Sequence, residues 1–179
     1  SHEASSVVCK YVRRELRALS SDDREKFIGT MQIYYSNNDQ DGKSHYGANG
    51  TYYGYEYFTY LHNSEDYCYH FGSQFWTTHP AFQLALEQSV RALDPSFSSP
   101  YWDFMLDSKM YGADWWQAEA FSDSWFGPVA TSADEDYVLT SGPFAYTKAA
   151  WDHGGSYVGR SYENVFGVLT SDFDETDSK

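Results

Sequence analysis

Apolar residues recur at helical spacing in separate stretches of the chain, with polar runs between them. In residues 7–18, Val8, Tyr11, Val12 and Leu16 fall on one face, which predicts a first helix with Leu19 just beyond it. Ser20-Ser21-Asp22-Asp23 then reads as a fresh N-cap with acids in the first turn. A second helix is predicted over about Asp22–Tyr35, with Phe27, Ile28, Met31, Tyr34 and Tyr35 sharing a face. Residues 36–54 are rich in Asn, Asp and Gly and predict a long loop. A short aromatic segment, Tyr55–His62, resumes order. Phe82, Ala85, Leu86, Ser89, Val90 and Leu93 then predict an amphipathic helix that ends at Asp94-Pro95, with Pro80 in its first turn. Beyond Pro100 the pattern predicts mainly loops, punctuated at Gly112, Gly127-Pro128, Gly142-Pro143 and Gly154-Gly155.

This pattern describes one mainly helical domain over residues 1–179, with no internal repeat and an acidic tail at 171–179. The formal net charge is −14, which disfavours nucleic acid and anionic membrane surfaces as partners. No apolar run approaches the roughly 18–20 residues that a membrane span needs. Aromatic residues make up 20% of the chain, against the composition of a disordered one. Cys9 and Cys68 allow one disulfide without requiring it. Asn49-Gly50-Thr51 is an N-glycosylation sequon in a polar segment. The first residue is Ser1, which reads as a removed leader or a trimmed terminus. Acidic charge, sequon and cysteine pair together predict a secreted protein.

Six histidines stand at positions 2, 45, 62, 70, 79 and 153. His62, His70 and His79 form the tight group: one closes the aromatic segment, one lies in a Gly-containing turn and one opens the next predicted helix. Such a layout can bring three imidazoles to one point. Neutral imidazole suits copper, zinc, iron or nickel, and three ligands leave a coordination position open for chemistry. The alternative is a set of loop and cap residues with solvated rings.

The residues around these histidines resemble a known family. Phe58-Thr59-Tyr60-Leu61-His62-Asn63, Cys68-Tyr69-His70 and Phe75-Trp76-Thr77-Thr78-His79 resemble the first copper half-site of tyrosinases. The continuation through Phe82, Leu86-Glu87-Gln88 and Leu93 to Pro100-Tyr101-Trp102-Asp103-Phe104 resembles the segment that follows it. The resemblance extends over about residues 9–170. It implies the N-terminal portion of an antiparallel four-helix bundle with long aromatic, Gly-rich loops. It also implies copper as cofactor, held by His62, His70 and His79. Proteins of this kind hold two coppers on three histidines each, and tyrosinases use oxygen to hydroxylate monophenols or oxidise catechols to quinones. The second site takes a His-x-x-x-His helical pair, and this chain has no histidines four apart. Thr78 and Pro80 flank the third histidine where the family commonly has Trp and Arg.

The resemblance opens a second option for Cys68, a thioether to His70 in place of a disulfide to Cys9. Phe71, Phe75, Trp76 and Phe82 are expected to form an apolar wall around the metal, and Asp103 to accept hydrogen bonds from backbone or a histidine. His45 and His153 read as loop residues. The tyrosines of residues 52–60 read as core or interface anchors, or as a cross-linkable surface. Two functions follow. One is the first-copper portion of a secreted oxidase of phenols and catechols, completed beyond residue 179 or by another chain. The other is a non-catalytic tyrosinase-like module in extracellular assembly.

Overall fold

Ser20 marks the first helix start. Its hydroxyl accepts the Asp23 amide at 3.2 Å, and Asp22 and Asp23 place negative charge at the positive end of α1 (Ser21–Ser36). The computed structural model describes residues 8–49, 51–64, 70, 72–129, 137–149 and 157–158. Helix α1 buries Ile28, Met31 and Tyr34 against Tyr52, Val90, Phe97, Trp125, Leu139 and Phe144. This is the core.

The stretch before α1 departs from the expected helix. Residues 8–14 run without helix, and a single 3-10 turn spans Leu16–Ala18. Three arginines explain the difference. Arg13 holds Glu87 through two bonds of 2.8 and 3.0 Å, Arg14 pairs with Asp23 at 2.8 Å, and Arg17 reaches both Glu15 and Asp107. Asp23, Glu87 and Asp107 lie on three different helices, which an extended strap can reach together. The strap backbone also pairs with the segment after Pro100, through Leu16 N to Tyr101 O at 3.0 Å and Tyr101 N to Arg14 O at 2.9 Å.

Much of the expected loop at 36–54 is helical. α2 (Asp39–Tyr46) forms despite its polarity, followed by a 3-10 turn at Gly47–Asn49. Asn38 caps it by accepting the Asp41 amide at 2.8 Å, and Lys43 pairs with Asp39 one turn away. The helix α3 (Tyr55–His62) shares its caps with α2. The Asp39 carboxylate accepts the Gly54 amide at 2.8 Å, and the Glu56 carboxylate accepts the Asp39 amide at 3.2 Å. Gly42 admits the buried Tyr52 ring, since a Cβ there would stand 2.1 Å from its Cε1.

Helix α4 (Gln74–Val90) begins well before the expected start, with Pro80 inside it. Proline has no N–H, so the Trp76 carbonyl one turn back lacks its helical donor. The second half of α4 is fixed at Ser89. Its hydroxyl donates to Tyr53 O at 2.6 Å and accepts from Tyr53 N at 2.7 Å, while the Tyr34 hydroxyl donates to the same Tyr53 oxygen at 2.8 Å. Thus α1 and α4 converge on the backbone of Tyr53, the residue leading into α3.

The region after Pro100 is also more helical than expected. α5 (Phe104–Tyr111) is followed by 3-10 segments at Gly112–Gln117 and Glu119–Phe121. α5 inverts the usual arrangement. Its buried residue is Asp107, bound by Arg17 and by Trp102 Nε1 at 2.5 Å, whereas Phe104, Met105, Leu106 and Met110 are exposed. The predicted punctuation holds at Gly112, Gly127 and Gly142, each with positive φ. Gly154, Gly155 and the acidic tail lie outside the described residues. Among the described residues there are five α-helices and no strand longer than an isolated bridge, so the protein is mainly α.

Candidate metal centre

His62 ends α3 and His79 lies in the second turn of α4, so two helices bring these rings side by side, and His70 comes from the connection between them. One ring nitrogen from each of the three histidines lies within 4.8 Å of the others. Ring centroids are 4.8 Å apart for His62 and His70, 5.4 Å for His62 and His79, and 5.3 Å for His70 and His79. The spacing-based convergence of the three histidines is therefore present in the structure.

The rings are oriented as well as close. His79 Nδ1 lies 3.0 Å from the Phe75 carbonyl oxygen, which can only accept, so Nδ1 carries the proton and Nε2 of the neutral ring offers a lone pair. His62 Nε2 approaches that Nε2 at 3.4 Å. A metal with imidazole bonds of about 2.0–2.1 Å and tetrahedral angles sets its nitrogens about 3.3–3.4 Å apart. One pair already has that separation, and the set fits a metal ion after a small closure. Burial depresses the His62 pKa, and the positive charge that His70 and His79 can carry adds to the shift. The neutral, ligating form of His62 is favoured.

The expected apolar wall is partly in place. Phe75 lies against His79 at 4.4 Å between centroids with the planes tilted by 40°, and Phe82 meets His62 at 5.7 Å. Trp76 does not belong to the wall. It is 77% exposed and leans on Phe75, because its position next to Phe75 on α4 turns it away from the histidines. Asp103 takes the backbone option: its carboxylate accepts the Met105 amide and caps α5, and its carbonyl accepts from Arg17. Phe71 and Cys68 lie outside the described residues, as do His2 and His153. Cys9 is exposed, and both bonds proposed for Cys68 fall outside the described residues. Asn49 closes the 3-10 turn after α2. His45 sits on α2, where Nδ1 binds the Asp41 carbonyl at 2.8 Å, apart from the cluster.

Two contributors were missed from sequence. Phe58 backs the site by meeting Phe82 at 5.3 Å, and the Phe75 carbonyl fixes the His79 tautomer. Each lies four residues before a histidine, so helical spacing was the signal available. A cavity of about 150 Å³ lies between the strap, α1 and the turn after α4, lined by Lys10, Tyr11, Arg14, Lys26 and Phe97; no histidine lines it.

Three convergent imidazoles on a mainly helical scaffold make a candidate metal site. Residues 52–177 match the family described as the common central domain of tyrosinase, and with more than half its length matched the chain belongs to that family. A tyrosinase-like protein of Caenorhabditis elegans, tyr-3, is 31% identical over 101 residues. That alignment takes in 56% of this chain but 13% of the relative, so the chain corresponds to a small part of the relative's length. Among the described residues, no helix is long and apolar enough to cross a membrane.

Proposed function

We propose that this chain is the first-copper portion of a secreted tyrosinase-like oxidase of phenols or catechols, completed by sequence beyond residue 179 or by another chain. The observation that carries the reading is the three-imidazole cluster, with His79 Nε2 aimed at His62 by the Phe75 carbonyl. Imidazole donors suit copper, and the family favours copper over the other metals that such donors accept. His62, His70 and His79 would hold the ion. When bound, copper supplies one-electron redox chemistry towards oxygen and phenols.

The chain's own groups set the conditions for that chemistry. Phe75 and Phe82 cover two of the imidazoles and limit water on that side. Phe58 supports Phe82, so the covering ring cannot tip away from His62. His70 is exposed, leaving an open approach for a phenolic molecule or for the element that completes the centre. Exposed Tyr60, Trp76 and Leu84 on α3 and α4 offer apolar surface to such an element.

The test is copper titration of the purified chain followed by oxygen uptake with catechol. One copper per chain, lost in His70→Ala, supports the metal assignment. Oxidase activity that appears only when the completing sequence is present supports the enzyme assignment. Failure to bind copper would overturn both.

The outward apolar face of α5 favours a second reading, a non-catalytic module of extracellular assembly. It expects ordered multimers that stay inert with catechol under air and persist in His70→Ala.

A further inference from the structure

Tyr53 and Tyr57 are stacked in the open. Their ring centroids are 4.5 Å apart with planes inclined by 26°, and the residues are 38% and 39% exposed. Other touching phenols differ. Tyr34 and Tyr52 meet at 6.0 Å but are buried, out of reach of a dissolved oxidant. Tyr146 and Tyr157 are exposed, yet they meet edge to face at 5.6 Å and 82°. Among the described residues, Tyr53 and Tyr57 combine exposure with face-to-face contact.

The surroundings hold this pair in register. Tyr53 is tied through its backbone to Ser89, and Tyr57 lies in the first turns of α3. Phe58 meets Tyr57 at 5.4 Å and Tyr53 at 6.4 Å, closing the inner side. Lys43 Nζ lies 5.0 Å from the Tyr53 ring centroid. A cation over a ring makes electron loss from it harder, so Tyr57 is the ring to be oxidised first.

We propose that Tyr53 and Tyr57 form an oxidative cross-linking site, joined as an intramolecular dityrosine by a peroxide-driven one-electron oxidant. Each phenol gives up one electron and its hydroxyl proton. The two phenoxyl radicals couple through ring carbons adjacent to the oxygens, forming one C–C bond. The hydrogens on those carbons then return to the oxygens as the rings regain aromaticity. The chain loses two hydrogen atoms in all, and one hydrogen peroxide takes up both electrons and both protons to become two waters. The site requires no metal in this protein. Its product would staple the entry of α3 to the body of that helix.

The full chain, dilute and kept metal-free with chelator, is treated with hydrogen peroxide and a haem peroxidase. The expected result is dityrosine fluorescence in the monomer, a mass lower by two hydrogens, and a Tyr53–Tyr57 link in peptide mapping. Tyr57→Phe and, separately, Tyr53→Phe should each abolish the monomeric product while keeping the wild-type circular dichroism. Tyr60→Phe, which removes a more exposed but unstacked phenol, should leave it intact. Dityrosine confined to dimers, or a monomeric link that survives both pair variants, would overturn the proposal. So would the absence of dityrosine under conditions that oxidise free tyrosine.

Discussion

Phe75 controls which nitrogen of His79 faces His62, because its carbonyl oxygen accepts the Nδ1 hydrogen bond at 3.0 Å. The side chain of the same residue packs against the imidazole at a 40° inclination, so one residue bears on both tautomer and tilt.

Removing a ligand should therefore separate from removing its support. His79→Ala and His70→Ala are each expected to lower copper affinity by more than the roughly 10–100-fold loss typical of a lost outer partner. Phe75→Leu, which keeps the carbonyl but loses the ring packed against the imidazole, should fall within that range. Isothermal titration with copper and circular dichroism on the same samples check both the ordering and the fold.

Ser89 is the bolt between α4 and the residue that leads into α3. Ser89→Ala removes both bonds to Tyr53 and leaves a buried amide without its partner, at a cost of about 1–3 kcal/mol. Because α3 and α4 carry His62 and His79, copper affinity should fall with stability. Urea unfolding and metal titration of this variant should change together.

Glu87 is 2% exposed, bound by Arg13, by Arg91 at 3.3 Å and by the Ser99 amide at 2.9 Å. Burial alone would raise its pKa, but the Arg13 bonds, the Ser99 amide and the two positive charges outweigh burial and hold it below the ordinary carboxylate value. A depressed folded pKa contributes stability that is full above the unfolded pKa and is lost as pH falls through the folded one. Glu87→Gln should cost about 2–4 kcal/mol at neutral pH, less than a fully buried pair because Arg13 is partly in water. The gap in melting temperature between the two proteins should narrow as the pH is lowered to about 3.

Gly42 leaves no room for a side chain. Gly42→Ala would drive a methyl into the Tyr52 ring and should destabilise by about 1–3 kcal/mol or more. Near-ultraviolet circular dichroism should report the disturbance, since Tyr52 packs with Tyr34 and Tyr46.

What could be read in advance follows the range of the interactions involved. α1 was legible to within a residue at each end because its cap and its apolar face are local. The strap was misread because Val8, Tyr11, Val12 and Leu16 fall at helical spacing, whereas its path follows Arg13, Arg14 and Arg17 to distant partners at Glu87, Asp23 and Asp107. α2 was missed although its Asn38 cap and Asp39–Lys43 pair are local: its residues are mostly polar and carry no apolar face, and the ties to Gly54 and Glu56 lie beyond any local window. α5 defeats periodicity altogether, since its inward residue is a carboxylate matched to a distant arginine.

The histidine set was legible from spacing and motif, and the helices deliver it. Trp76 shows the limit. Adjacent aromatic residues on a helix point in different directions, so Phe75 reaches His79 while Trp76 faces solvent.

The convergence of Tyr34, Tyr53 and Ser89 also bears on how the metal and the fold respond to heat. The spacing of His62 and His79 is a property of the folded chain, so an ion that prefers it withdraws protein from the unfolded pool by mass action. Each tenfold increase in free metal above its dissociation constant would add about 1.4 kcal/mol to apparent stability. Melting temperature then serves as a gauge of metal supply, and a chain starved of its ion would be the more readily unfolded and cleared.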